Sequence, residues 1–275
     1  MKQSRTGHSA PNAKTSILWF RFLLNAIRRS GIDSQDIATS VGFDLTMLDN
    51  PDAYIDDEFT ALLLMAAVVK SADIAFGLKA GQYFVPSAFG PLGYAMMTSS
   101  NLRSALERTT YFTASVTDTT RTRMSFSGNS CLFEVQMPSY FPEVARVVDE
   151  FLMASILTAF RWLVGFDFIP LSIEFMHEQP VEVEPYLKAF GRIPVFSSQR
   201  CAFVFSNEQL ELPLIYADDA MVKTHDKIAA SKINHGNELT TSPQVRRIIH
   251  QNLKSGEPTL GHISLILNVS ERTLQ

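Results

Sequence analysis

The spacing of apolar residues changes twice along the chain, and each change indicates a different kind of structure. From Thr15 to Phe112 the apolar positions recur every three to four residues, which is typical of amphipathic helices. Between Thr120 and Val135 the period falls to two, and the Gly128-Asn129 pair at its centre predicts a β-hairpin. Helical spacing returns at Pro142 and continues to about Val164.

The segment from Pro142 to Val164 predicts the longest helix of the chain. Apolar residues cover more than half of its circumference, so we expect it to be buried on two sides, against a sheet and against a second layer or a second subunit. Strands at Leu171–Phe175 and Ala202–Phe205, separated by a short helix at Glu184–Phe190, complete the pattern. The expected fold class is α+β: a helical N-terminal part and a small antiparallel sheet of about four strands, packed by the long helix.

The C-terminal stretch 258–275 has the pattern of a short helix, a tight turn and the start of a second helix. Asn268 suits the left-handed residue that ends the first helix, and Ser270 suits the N-cap of the second. This order predicts a helix-turn-helix, whose second helix can enter the major groove of DNA. The expected DNA contacts are Ser270, Arg272, Thr273, Gln275, Arg246 and Arg247. The alternative is a structural helical hairpin, in which Arg272 pairs with a neighbouring glutamate.

A second helix-turn-helix-like segment lies at 32–48, but its charge argues against DNA binding. Between Gly31 and Glu58 there is no lysine or arginine, whereas aspartate occurs seven times. Because DNA binders gain much of their affinity by neutralising phosphates, a segment this acidic would be repelled. We interpret it as a structural helical corner.

Charge and composition divide the chain into regions. Residues 243–275 carry four lysines and arginines against two glutamates, although the whole chain has a net charge of −4. Residues 232–242 are polar and form the best candidate linker. We therefore expect a disordered tail at 1–14, one domain at 15–231, the linker at 232–242 and an all-α helix-turn-helix domain at 243–275.

Several function classes find no support in the sequence. The longest apolar run is too short to span a membrane, and the first residues lack a signal-peptide core. Two cysteines and six scattered histidines give neither a disulfide framework nor a metal-binding pattern, so we expect a cytoplasmic protein with no metal and no cofactor. No catalytic motif is present, and the paired carboxylates Asp56-Asp57 and Asp218-Asp219 are interpreted as charges at helix N-termini. We expect no enzyme activity.

The helix-turn-helix residues resemble the first helix-turn-helix of the AraC/XylS family of bacterial transcription regulators. The match runs through Ile263, Leu267, Val269, Arg272 and Leu274. Two positions depart from the family pattern, with Ser264 in place of alanine and Asn268 in place of glycine. The family has a second helix-turn-helix after this one, so the resemblance implies that the chain ends within the first and that the DNA-binding domain is incomplete here.

The rest of the chain resembles the effector-binding, arabinose-binding-type N-terminal domain of one branch of AraC regulators. The stretch from Phe89 to Phe112, followed by hairpin, long helix and strand, carries this resemblance, which covers about Ile17 to Leu214. It implies a homodimeric regulator that binds DNA and responds to a small hydrophobic or fatty-acid-like effector. The alternative is a stand-alone small-molecule-binding or enzymatic α+β protein with a structural C-terminal hairpin.

An effector pocket would need apolar walls and a few convergent polar groups. Aromatic residues near the junction of helices and sheet supply candidate walls: Phe84, Phe89, Tyr94, Tyr111 and Phe112. Taken singly, each could equally be a packed core residue. Arg121, Arg123 or Arg146 could meet a carboxylate, or could be exposed charges on strand and helix.

Overall fold

The computed structural model describes residues 13–137 and 142–236. The predicted helix-turn-helix, with Arg246, Arg247, Ser270, Arg272, Thr273 and Gln275, lies outside the described residues, as do residues 1–12 of the predicted tail. Within the described ranges the α-helices are α1 (Ile17–Arg29), α2 (Ser34–Ser40), α3 (Glu58–Ser71), α4 (Phe76–Gly81), α5 (Pro91–Met97), α6 (Leu102–Phe112), α7 (Pro142–Val164), α8 (Glu184–Phe190), α9 (Asn207–Leu210) and α10 (Asp219–Gly236). The α+β class is confirmed for this part of the chain.

Two antiparallel sheets accompany the helices. The larger consists of β3 (Arg121–Ser127), β4 (Ser130–Gln136), β5 (Ser172–Glu174) and β6 (Cys201–Ser206), in the order β3-β4-β6-β5. The predicted hairpin is confirmed, since β3 and β4 pair around Gly128 and Asn129. The smaller sheet joins β1 (Lys14–Ser16) to β2 (Tyr54–Asp56) and was not predicted, because strands of three residues are too short to show a period.

Helix α7 lies between the large sheet and the N-terminal helices, so its predicted burial on two sides is confirmed. Phe160 packs on the sheet, with ring centroids 5.8 Å from Phe133 and 6.0 Å from Phe205. On the opposite side Phe151 stacks on Phe22 of α1 at 5.5 Å. The helix therefore joins the two layers into one hydrophobic core.

Two glycines allow α4 to approach the backbone of α7. A Cβ placed on Gly77 would lie 2.6 Å from the carbonyl oxygen of Val147, and one on Gly81 would lie 2.6 Å from the Cβ of Ala154. Both distances are shorter than a carbon contact allows, so these positions tolerate no side chain without movement of one helix.

The acidic segment at 32–48 is a structural corner, as interpreted. Asp33 caps α2 and Asp44 caps the 3₁₀ helix Leu45–Asp49 through their carboxylates. Phe43 between them is buried, with its ring centroid 4.3 Å from that of Phe20. Ile37, Ala38 and Phe43 of the segment are thus buried in the core, whereas Met47 and the carboxylates lie at the surface.

The last described helix is held to the rest of the domain by ion pairs. Helix α10 runs to Gly236, the last described residue, so the first five residues of the predicted linker are helical. Arg108 of α6 donates two hydrogen bonds to Asp226, Nε to Oδ1 at 2.9 Å and Nη2 to Oδ2 at 3.1 Å. Lys232 also pairs with Asp52.

Removal of the Arg108–Asp226 pair should weaken this attachment modestly. The two side chains are partly exposed, so we expect Asp226→Asn to lower the free energy of unfolding by about 1 kcal/mol, as measured by urea unfolding. Lys223→Gln, on an exposed position of the same helix, is the control and should change little. An equal loss in both variants would mean that the contact between Asp226 and Arg108 adds nothing to the stability.

Candidate functional site

A cleft penetrates the helical layer beside α7. The volume of its cavity is about 60 Å³. The residues that line it are Thr15, Trp19, Asp57, Thr60, Phe89, Leu92, Thr109, Thr113, Val116, Thr117, Thr119, Thr120, Val148, Phe151, Leu152 and Ile156.

Aromatic rings form one wall of the cleft. Trp19 stacks on Phe89 with ring centroids 5.5 Å apart, and it lies 5.3 Å from Phe151 of α7. Trp19 reaches this position because its face of α1 is apolar and the helix is capped by the Ser16 hydroxyl. The three rings come from different elements, so the wall forms only when α1, α7 and the turn around Phe89 pack together.

The other end of the cleft is polar. Asp57 is 5% exposed and accepts a hydrogen bond of 3.2 Å from the Thr119 hydroxyl. It occupies the N-cap position of α3, but its side chain does not cap the helix, and Asp56 instead pairs with Lys14. Asp57 thus lies at the N-terminus of a helix, as predicted, but it makes no capping hydrogen bond and also lines the cleft.

Thr60, one turn further along α3, is 6% exposed and also lines the cleft. Its hydroxyl oxygen has no hydrogen-bond partner in the structure. Buried polar atoms are nearly always hydrogen-bonded, so an unmatched hydroxyl in a cleft wall is an available contact for a ligand.

Two titratable groups near this polar end have raised pKa values. Burial raises the pKa of the Asp118 carboxyl, and the Asp57 carboxylate adds to that rise, while Arg121 and Lys14 oppose it. Burial also raises the pKa of the Tyr54 hydroxyl to about 12, and the charge of Asp118 contributes. Burial is the main cause of both shifts, since it disfavours the charged form of each group.

The structure separates the five aromatic residues predicted to line an effector site. Phe89 lines the cleft, and Phe84 packs against Phe89 with ring centroids 4.7 Å apart. Tyr94 is 45% exposed and lies beside His225 of α10. Tyr111 and Phe112 line a different, open groove between α6, β3 and α10.

The residues that sequence reasoning missed are Trp19, Asp57, Thr60 and the threonines between positions 109 and 120. One signal for them exists: six of the residues from Thr109 to Thr120 are threonines, an unusual density between a helix and a strand. The predicted aromatic residues did not include Trp19, because its helical spacing is equally typical of an ordinary core residue.

Of the three arginines considered for binding a carboxylate, none lines the cleft. Arg146 donates from Nε to the buried carboxylate of Glu150 at 2.7 Å, and Tyr186 also donates to that carboxylate. Arg123 lines the open groove. Arg121 donates to the carbonyl oxygen of Thr120.

Within residues 13–137 and 142–236, no cluster of three or more histidine, cysteine, aspartate or glutamate side chains could hold a metal ion. In the same ranges, no helix is both long enough and apolar enough to cross a membrane. Cys131 and Cys201 are buried free thiols.

Comparison with known proteins places this architecture in a family. A family model described as the arabinose-binding domain of AraC transcription regulator, N-term, matches residues 31–214. The chain is 26% identical over 203 residues to the ornithine utilization regulator of Pseudomonas aeruginosa, which covers 73% of this chain and 59% of that protein. It is also 26% identical over 144 residues to an uncharacterized HTH-type transcriptional regulator of Mycobacterium tuberculosis, covering 51% of this chain and 41% of that protein.

A solved structure gives an independent comparison of fold. The crystal structure of the transcriptional regulator CdpR from Pseudomonas aeruginosa matches with a TM-score of 0.57 at 17% identity, covering 94% of this chain and 77% of that chain. At this identity the similarity shows the fold alone. The chain spans 59% or less of the length of the two curated relatives. The predicted resemblance of the body to the effector-binding domain is confirmed: with a match over residues 31–214, the chain belongs to the family of N-terminal arabinose-binding domains of AraC transcription regulators.

Proposed function

We propose that this chain is a sequence-specific, DNA-binding transcription regulator controlled by a small hydrophobic molecule that binds in the cleft beside Trp19. The observation that carries the proposal is the cleft itself, which combines a wall of three aromatic rings with a polar end inside the region matched by the family. Its position beside α7, in the middle of the core, links its occupancy to the packing of both layers.

A route from the cleft to the C-terminal part of the chain supports regulation. Thr113 lines the cleft, and it also begins the 3₁₀ turn Thr113–Ser115 that packs against α10. In the sequence, helix α10 is followed by residues 237–275. A ligand that binds better to one placement of this turn would shift the placement of α10, through its differential affinity for two states.

DNA binding is assigned in this proposal to the helix-turn-helix at 243–275, with Arg272 as the base-reading residue and Arg246 and Arg247 as phosphate contacts. The resemblance of residues 260–274 to the first helix-turn-helix of AraC regulators supports this assignment. We also propose that the chain forms a homodimer, since a dimer can place two helix-turn-helix domains on two half-sites and so bind DNA more tightly.

The test is fluorescence anisotropy of the protein, as its gene encodes it, on duplex DNA from its own upstream region at two salt concentrations. We expect tight binding that weakens steeply with salt. Arg272→Ala should lower the affinity for the specific site about tenfold or more. Arg246→Ala should lower the affinity for specific and random duplexes alike. Absence of salt-dependent DNA binding would refute the proposal of a transcription regulator. It would favour the alternative, a stand-alone small-molecule-binding or enzymatic protein.

A further inference from the structure

Helix α3 is apolar on every side. Between Glu58 and Lys70, at its two ends, every residue except Thr60 is apolar, and none of them is charged. One side of the helix, which includes Leu63 and Ala67, is fully buried in the core. A helix that is apolar all round is normally buried all round, so the opposite side of α3 needs a second apolar surface to cover it.

The outer side of α3 presents an apolar stripe to solvent. Leu62, Met65, Ala66 and Val69 recur at intervals of three and four residues and therefore share one face; we call these four residues the α3 stripe. Leu62 is 40% exposed and Val69 is 77% exposed, whereas Met65 and Ala66 between them are half-buried. Contiguous exposed apolar surface of this kind is typical of a protein or membrane interaction site.

The charges around the α3 stripe argue against a membrane or a nucleic acid as the partner. Both are bound through an excess of lysine and arginine, which offsets the negative charge of lipid headgroups or phosphates. Helix α3 has Lys70 and Glu58 as its charged residues, and Lys70 already pairs with Asp36 at 3.6 Å. The surface that covers the stripe is therefore the apolar surface of a protein.

The α3 stripe is complementary in shape to a second copy of itself. Two α3 helices can pack antiparallel about a two-fold axis that passes between Met65 and Ala66. Leu62 of each copy then lies beside Val69 of the other. The small side chain of Ala66 leaves room for Met65 of the other copy, so the largest and smallest members of the stripe face each other.

The charges at the two ends of α3 favour the same arrangement. An antiparallel pair brings Glu58, at the start of each helix, toward the end of the other helix, where Lys70 stands. A parallel pair would instead bring like charges together at both ends. We infer that the α3 stripe is the centre of a two-fold interface between two copies of this chain, with their α3 helices antiparallel. The inference rests on the homodimer of the proposed function and names the surface through which it forms.

The first test is Val69→Asp in the protein as its gene encodes it. The substitution would place one carboxylate from each copy in the apolar interface, so we expect the dissociation constant of the dimer to rise about tenfold or more, as measured by sedimentation velocity. Because Val69 is exposed in the single chain, the variant should keep the wild-type circular dichroism spectrum. Val181→Asp, the same change at a fully exposed position outside α3, is the matched control and should leave the dissociation constant unchanged.

The second test is cross-linking through Ala66→Cys. Position 66 lies next to the proposed two-fold axis, so the two introduced thiols should approach closely enough to form a disulfide on mild oxidation. We expect a covalent dimer on a non-reducing gel. Val181→Cys is the control and should remain a single chain. The native Cys131 and Cys201 are buried and should not contribute.

The outcomes separate this inference from the proposed function. A dimer that dissociates equally in the Val69→Asp and Val181→Asp proteins would overturn the inference and leave the proposed homodimer standing. Cross-linking through Ala66→Cys that is no more efficient than through Val181→Cys would also overturn it. A protein that stays monomeric at every concentration tested would show that both the interface and the proposed homodimer are wrong.

Discussion

Replacement of Gly81 by valine is expected to disrupt the native core. A Cβ at this position would lie 2.6 Å from the Cβ of Ala154, 2.7 Å from the carbonyl oxygen of Phe151 and 2.8 Å from the amide nitrogen of Ser155. Two of these three atoms are backbone atoms of α7, so no side-chain rotation can relieve the contact. Helix α4 would have to move away from the helix that joins both layers.

The expected loss in the free energy of unfolding is about 3 kcal/mol or more, because overpacking against backbone is among the costliest core changes. Urea unfolding followed by circular dichroism measures it. The control is Lys79→Val on the exposed face of α4, which places the same side chain in solvent and removes a surface ion pair worth under about 1 kcal/mol. Equal stability of the two variants would show that α4 and α7 are not in backbone contact.

The second large loss in the free energy of unfolding is expected from Arg146→Met. The carboxylate of Glu150 is fully buried, and it accepts hydrogen bonds from Arg146 and from the Tyr186 hydroxyl. Removal of the guanidinium leaves a buried carboxylate without its cation. Breaking a buried ion pair in this way costs about 3–5 kcal/mol near neutral pH.

The loss of stability in the Arg146→Met protein should depend on pH. Burial raises the pKa of Glu150, and the hydrogen bonds from Tyr186 and Arg146 offset part of that rise. In the variant the pKa rises further. The folded protein then takes up a proton at a pH where the unfolded chain does not, so stability increases as the pH falls toward the usual pKa of a glutamate. The destabilisation should therefore be smaller at about pH 5 than at neutral pH.

The double variant Arg146→Met/Glu150→Gln provides the control. It removes the buried charge together with its partner, and Tyr186 can still donate to the amide oxygen of the glutamine. We expect it to recover much of the stability that the single variant loses, and to lose the pH dependence. A single variant with wild-type stability, or a loss that is constant with pH, would contradict a charged Glu150 in the core.

Local patterns predicted the individual helices and strands but not which of them pack together. The hairpin at 121–136 and the helix at 142–164 follow from the period of their own apolar residues, so each could be predicted from its own segment. The cleft could not, because Trp19, Asp57 and Thr119 lie on three elements far apart in sequence. Their convergence depends on how closely helices approach, which glycines such as Gly81 control through contacts that no period reveals.

The two Asp-Asp dipeptides show most directly what the sequence could predict and what depended on the tertiary structure. In Asp218-Asp219, the Asp218 carboxylate accepts the backbone N–H groups of Ala220 and Met221 at 2.9 Å, as the sequence predicted for charge at a helix N-terminus. In Asp56-Asp57, the second residue also lies at the N-cap position of its helix, but its carboxylate makes no capping hydrogen bond and the residue lines the cleft. The sequence alone determined the α+β class and the elements, since these follow from local periodicity and turn chemistry. Only the tertiary structure decided which polar side chains face a shared cavity, because that depends on the packing of α1, α3 and α7 around one another.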